Sequence, residues 1–323
     1  MEPLPNFHLL RPRSVPEAVA ARIADTRTRF LAGGTDLVAN MRSGLVDSET
    51  LIDLSAIEEL RRLEIGPTGL AIGAGVTLET LATHPAIVRD YAALSQAALG
   101  IAGPTHRIVA TLGGNLCLDT RCRFYNQSES WRAGNGYCLK HGGDTCRAAL
   151  KADRCYAAFT GDLSPALMVL GAVADIAGPQ GKRVQPLGDM YQDDGKECLT
   201  LAPEDLLVGV RVPPAVGWRS AYDKIRIRGA IDFALTGVAV ALQSDGQRIA
   251  KLRIATTATE SRPVLMQGLE TLEGSTLEEI APRLEKIVRK QLGMMETYLT
   301  PAAYRRRATL VMTRRLIERL LAG

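Results

Sequence analysis

Four of the six cysteines, Cys122, Cys138, Cys146 and Cys155, fall in one stretch, with 15, 7 and 8 residues between them. Four thiolates brought together hold either tetrahedral zinc or an iron–sulfur cluster. Structural zinc usually uses close C-x2–4-C pairs, and this stretch has none. Wide, unequal spacing suits a larger object gripped by a wrapping loop. Charge points the same way. From Asp119 to Cys155 there are seven Lys and Arg against four Asp and Glu. That excess would offset an anionic cluster with four thiolate ligands. Phe124, Tyr125, Trp131, Tyr137 and Tyr156 crowd the same region, five of the chain's 15 aromatics. They would limit water and help set a cluster's potential. Zinc, and four unlinked buried thiols, remain as alternatives. Cys117 and Cys198 read as ordinary buried cysteines. Cys117-x4-Cys122 opens like a plant-type [2Fe–2S] motif, but no C-x2-C follows. His141 reads as a loop histidine.

Two glycine pairs form the second candidate site. They are Ala32-Gly33-Gly34-Thr35-Asp36 and Thr111-Leu112-Gly113-Gly114-Asn115. Adjacent glycines let backbone N–H groups approach a diphosphate with no Cβ in the way. A helix starting there adds a favourable dipole. Two such turns, each followed by a polar residue, suggest a dinucleotide held from both sides. Neither is a Rossmann G-x-G-x-x-G or a Walker A loop. Gly73-Ala74-Gly75 reads as a structural strand end, because Leu78 stands where a third glycine belongs. Tyr222-x-Lys224-x3-Arg228-x3-Asp232 reads as a charge-blunted edge strand. Alternatively, Lys224 faces an anionic ligand.

The elements that must position these residues begin as α/β. Ser14 to Ala24 starts with S-x-P-E-A and reads as a capped helix. Thr28 to Ala32 and Leu51 to Leu54 read as strands, with a helix from Asp36 to Arg42 ended by Gly44. Leu63–Ile65 and Leu70–Ile72 flank a Gly-Pro-Thr-Gly turn and read as a hairpin. Thr77 to Thr83 and Ala86 to Leu99 read as helices, and Val109 to Leu112 as a strand. Residues 119–157 read as an ordered insertion with its own small core. Pairing resumes with the apolar run Leu163 to Ile176. Ala221 to Arg228, Ala234 to Gln243 and Leu252 to Thr256 read as strands, and Thr276 to Leu321 as helical. The expected division is 1–56, 57–218 carrying the insertion, and 219–323. The fold class is α+β / α/β.

Composition excludes several classes. The 323 residues carry a net charge of +4, which gives nucleic-acid binding little support. Charged residues are 23% and hydrophobic residues 46%, the balance of a globular chain rather than a disordered one. No apolar run approaches a membrane span. Met1 to Ser14 is broken by three prolines and lacks an apolar h-region, so no secretory signal is expected. A cytoplasmic, reducing compartment is expected, where cysteine clusters mean metal or redox chemistry.

The pieces also occur in a telling order: A-G-G-T-D at 32–36, G-A-G-V-T-L at 73–78, T-L-G-G-N at 111–115 and G-D-L-S-P-A-L at 161–167. E-D-L-L-V-G-V-R-V-P at 204–213 and Y-D-K-I-R-I-R-x3-D-F-A at 222–234 follow. In this the chain resembles, over nearly its whole length, the FAD-binding medium subunits of the molybdenum hydroxylase (xanthine oxidase) family. The departure is the insertion. Some 45 residues separate Asn115 from Gly161, where ordinary members run on after a short gap. In carrying them the chain is most similar to the β subunits of 4-hydroxybenzoyl-CoA reductases.

The resemblance implies a two-subdomain FAD-binding fold and a C-terminal domain of antiparallel sheet plus helices. It implies that Arg29, Phe30, Leu31, Ala32, Gly33, Gly34, Thr35 and Asp36 cradle the FAD pyrophosphate with Thr111, Leu112, Gly113, Gly114 and Asn115. Asp162 would lie near the sugar-phosphate portion and Lys224 near the flavin, with Ile101 and Leu206 packed on the cofactor. Cys122, Cys138, Cys146 and Cys155 would ligate one [4Fe–4S] cluster. No residue of this chain would act on substrate. The implied partners are a molybdopterin-binding large subunit, a small subunit with two [2Fe–2S] clusters, and ferredoxin, in a dimer of heterotrimers. The implied reaction is reductive dehydroxylation of 4-hydroxybenzoyl-CoA. Two other readings stand beside it. One is an ordinary hydroxylase flavin subunit, feeding NAD or a quinone, with a zinc or metal-free insertion. The other is an FAD-free scaffold.

Overall fold

The computed structural model describes residues 4–293 and 300–323. Three sheets organise the chain. The first is parallel, in the order His8–Leu10, Thr50–Asp53, Arg29–Leu31. Helix Val15–Ala24 carries the chain between the two outer strands, capped by Ser14 accepting from the Glu17 N–H, with proline in its first turn. Helix Leu37–Arg42 leads from the first glycine pair and supplies the crossover between the neighbours Arg29–Leu31 and Thr50–Asp53.

The second sheet has five antiparallel strands, in the order Leu63–Gly66, Gly69–Gly73, Leu206–Val212, Val173–Gly178, Gly181–Pro186. The hairpin expected at 63–72 is its first pair. The third sheet is also antiparallel: Val264–Leu265, Arg248–Thr257, Thr236–Asp245, Arg219–Ile225. Arg219–Ile225 is an edge, where its charged residues were expected.

Strand Thr236–Asp245 is buried on both faces, and its alternation shows why. Val238, Val240 and Leu242 pack with Ile280, Leu284 and Val288 of helix Leu277–Gln291 and with Leu316 and Ile317 of helix Ala302–Ala322. Ala239 and Ala241 point the other way, into the core shared with the first two-thirds of the chain. Small residues on that side let the C-terminal sheet lie close against helices Ala92–Gly100 and Leu163–Val169.

Several expected elements differ. Ala86 to Leu99 is two helices, Pro85–Asp90 and Ala92–Gly100. The break is Tyr91, whose ring is 3% exposed and whose hydroxyl donates to the Pro213 carbonyl at 3.3 Å. Val109 to Leu112 is not a strand. Thr111 makes a single bridge to Thr77, and helix Leu112–Leu116 follows, capped by Thr111. Leu163 to Ile176 divides into a helix and a strand around Gly171. The helical tail is two helices, and residues 294–299 of that expectation lie outside the described residues. Among the described residues, no helix is long and apolar enough to cross a membrane.

The helix-to-sheet packing predicts a measurable contrast. Leu284→Ala leaves a cavity at a fully buried site and should cost about 2–5 kcal/mol in urea unfolding. Leu150→Ala, at a residue 73% exposed, should change stability by less than about 0.5 kcal/mol.

Candidate functional site

The two glycine pairs meet, but they do different work. A Cβ on Gly33 would run into the backbone carbonyl of Val109, so the first turn lies against the segment leading to the second. Among the described residues, the N–H groups of Gly33, Gly34 and Thr35 have no protein acceptor. They can receive an anion. The second pair has already spent its donors. The N–H of Leu112 goes to Val76 and that of Gly113 to Ala74, at 2.9 and 2.8 Å. The N–H of Gly114 donates to the Thr111 hydroxyl at 3.1 Å. A Cβ on Gly113 would crowd Ala74. Close packing, rather than an open donor row, accounts for this glycine. Asn115 accepts from the Leu163 N–H at 3.0 Å and so fixes the approach to Asp162.

Asp162 and Lys224 form an ion pair at 2.9 Å, each side chain 5% exposed. The Tyr222 hydroxyl donates to the other Asp162 oxygen. Burial, then the Asp162 charge, pushes the Tyr222 phenol well above its ordinary pKa, so it stays a donor. Gly100, next to Ile101, lies beside the Lys224 stem. Asp162, Lys224 and Ile101 are thus together. Leu206 stands apart: it pairs with Ala177 and is buried in the central core. Arg29, Phe30 and Leu31 form the strand that delivers the first glycine turn through Ala32.

Asp36 shows what sequence reasoning missed. Its carboxylate does not cap the following helix. It accepts from Asn40 at 3.0 Å and pairs with Arg121, the residue before Cys122. Arg121 also reaches Asn40 at 3.3 Å and stacks over the Phe233 ring, 4.6 Å from its centroid. Burial lowers the Arg121 pKa to about 10, which leaves it charged at neutral pH. Nothing in local sequence joins Asp36 to Arg121. Tyr222 belonged to a motif already noted, but only the fold turns it toward Asp162.

The insertion is ordered and docked. The Tyr125 hydroxyl donates to the Leu45 carbonyl at 2.9 Å, and the buried Arg132 to that of Gly44 at 2.6 Å. Arg154 pairs with Asp193 at 2.6 Å and lies over the Tyr156 ring. Cys122, Cys138, Cys146 and Cys155 line one small cavity, together with Phe124, Tyr125 and Lys140. Cys138, Cys146 and Cys155 are buried and Cys122 is half-buried. Burial pushes the Cys155 thiol up to about 11, and the nearby Cys146 and Cys122 sulfurs add to this. The Ala157 N–H opposes it by donating to the Cys155 sulfur at 3.4 Å. Backbone N–H groups of Tyr125 and Phe124 likewise favour the Cys122 thiolate against its burial. Among the described residues, no three His, Cys, Asp or Glu side chains are placed to hold a single metal ion. His141 is no part of the cavity lining and lies between the Tyr125 and Tyr137 rings. Cys198 is buried, as expected, whereas Cys117 is only half-buried at its surface.

Comparisons with known proteins give the family. The profile described as FAD binding domain in molybdopterin dehydrogenase matches residues 5–215. That of the CO dehydrogenase flavoprotein C-terminal domain matches residues 220–320. The chain is 36% identical over 228 residues to the aldehyde oxidoreductase FAD-binding subunit PaoB of Escherichia coli, covering 68% of this chain and 71% of that one. It is 29% identical to the carbon monoxide dehydrogenase medium chain of Afipia carboxidovorans, over 98% of this chain and 97% of the other. A crystal structure of the Cu,Mo-CO dehydrogenase superposes with a TM-score of 0.80 at 27% identity, covering 100% of this chain and 99% of that one. The chain belongs to the FAD-binding medium subunits of the molybdenum hydroxylase family.

Two substitutions probe the glycine turn and the Asp162–Lys224 pair. Gly33→Ala forces the first turn off Val109 and should reduce FAD retained through gel filtration, with a stability loss of about 1–3 kcal/mol. Asp162→Ala leaves Lys224 buried without its carboxylate and should cost about 3–5 kcal/mol in thermal or urea unfolding.

Proposed function

We propose that this chain is the flavin and iron–sulfur electron-transfer subunit of a molybdenum hydroxylase. It would hold FAD on Gly33–Asp36 and near Asp162 and Lys224, and one [4Fe–4S] cluster on Cys122, Cys138, Cys146 and Cys155. The observation that carries the cluster is the shared cavity: four thiols from one insertion face a common space. The wide, unequal spacing of the four cysteines, with no C-x2–4-C pair, favours a polynuclear group over zinc. Backbone N–H groups directed at sulfur are what a thiolate-ligated cluster needs around it.

Both groups would be held by this chain's own residues. FAD exchanges electrons singly or in pairs, and the cluster one at a time. On the protein side, the free N–H groups of Gly33, Gly34 and Thr35 would receive the pyrophosphate. Lys224, fixed by Asp162, would place a cation near the flavin. Asp36 would be held to the loop by Arg121. In our reading the partners are a molybdopterin-binding large subunit and a small subunit with two [2Fe–2S] clusters, in a dimer of heterotrimers. The medium-chain relative, by its name, supports a large and a small partner subunit, and does not bear on the dimer of heterotrimers.

On substrate, the 36% identity to an aldehyde oxidoreductase subunit favours oxidation of an aldehyde to a carboxylic acid, with water supplying the oxygen and two electrons and two protons released, the electrons passing to the enzyme's redox centres. A second reading rests on the insertion. It is reductive dehydroxylation of 4-hydroxybenzoyl-CoA, in which two electrons and two protons replace the ring hydroxyl and release water, with ferredoxin as donor. Turnover of the whole complex on each substrate separates the two.

Iron, acid-labile sulfide, zinc and FAD measured on the anaerobically purified full chain test the cofactor assignment. The expected result is about four iron, four sulfide and one FAD per chain. Zinc, or no metal, overturns the cluster. Cys138→Ser should lose the iron and keep the FAD, because the two sites are built from different residues.

A further inference from the structure

We propose that Lys140 is the fixed charge that sets the reduction potential of the group held by the four thiols; this rests on the cluster reading above. Lys140 lies in the short turn Leu139–His141, just after Cys138. Its side chain is 5% exposed and lines the cavity with all four cysteines. A lysine normally runs its flexible stem to the surface and keeps its ammonium in water. Here three acceptors hold it inside. They are the Asp119 carboxylate at 2.7 Å, the Thr120 hydroxyl at 2.5 Å and the Gly195 carbonyl at 2.7 Å. The ammonium also stands 5.1 Å from the centre of the Tyr125 ring, another wall of the cavity.

This arrangement costs desolvation and side-chain entropy. A structural role does not require it, because the backbone carbonyl and the hydroxyl could be satisfied by an uncharged donor. What a neutral donor cannot supply is a positive charge beside the thiols. A thiolate-ligated cluster gains one negative charge when it accepts an electron. A cation held close in a poorly hydrated cavity stabilises that reduced state. Arg121 is paired with Asp36. Arg147 also lines the cavity, but its guanidinium is turned to the Asn135 and Tyr137 carbonyls and adds a second, constant positive charge. Asp119, 36% exposed, opposes Lys140 only in part, since water screens it.

The test is an anaerobic redox titration of the full chain with dithionite and mediators, read by the electron paramagnetic resonance of the reduced cluster. Lys140→Met should keep its iron and become harder to reduce. At the solution potential where the wild-type cluster is half reduced, its ratio of reduced to oxidised cluster should fall about tenfold, a shift of about 59 mV for one electron. Lys140→Arg should stay near the wild type. Asp119→Asn should shift the other way, which disruption of the loop would not produce. Loaded variants with an unchanged potential overturn the assignment. If Lys140→Met does not load, Asp119→Asn decides: a rise supports the assignment and no shift overturns it. A wild-type chain without iron overturns the cluster reading, and this assignment with it.

Discussion

Arg121 is the point at which three parts of the chain are held in one frame. Its guanidinium pairs with Asp36 in the first glycine turn, stacks on Phe233 from the C-terminal region, and sits one residue before Cys122. Its backbone is also fixed, by a two-way bridge to Ala158 near the far end of the insertion. One side chain therefore closes the neck of the insertion and ties it to the first glycine turn. Burying a guanidinium is favourable only where it is paired and hydrogen-bonded, so this link is sensitive to any displacement of its partners. The contacts of Tyr125 and Arg132 with Leu45 and Gly44 extend the attachment along the same subdomain.

A second buried pair does comparable work elsewhere. Asp162 starts the helix at Leu163, while Tyr222 and Lys224 come from the edge strand of the C-terminal sheet. Their mutual contacts seat that sheet against the helix. The opposite face of the sheet is covered by the two C-terminal helices, so the edge strand has little freedom to retreat. Both candidate sites thus depend on charged groups taken out of water. Those groups are held by partners distant in sequence.

Local features were legible wherever chemistry is local. The Ser14 cap with its proline and the Gly-Pro-Thr-Gly hairpin each specify their own element. The four cysteines announced themselves because their density is unusual whatever the fold. Failures came where tertiary contacts decide. Tyr91 breaks a helix because its ring must reach the core and its hydroxyl Pro213. Leu112–Leu116 is helical because Thr111 caps it, despite two glycines and a β-like approach. The Asp36–Arg121 and Lys140–Asp119 pairs span 85 and 21 positions, and no periodicity encodes them. The second glycine pair looked like the first in sequence, yet its donors are consumed by Val76, Ala74 and Thr111.

The central claim is that the four thiols share one polynuclear iron site, separate from the flavin. The most direct measurement is the Mössbauer spectrum of the full chain, produced anaerobically in iron-57 medium, compared with that of the Cys146→Ser protein. The account predicts a spectrum of one tetrathiolate four-iron cubane in the wild type, diminished or altered in the variant while the flavin absorption persists. A wild-type spectrum with no cluster iron, or one unchanged by the substitution, would contradict it.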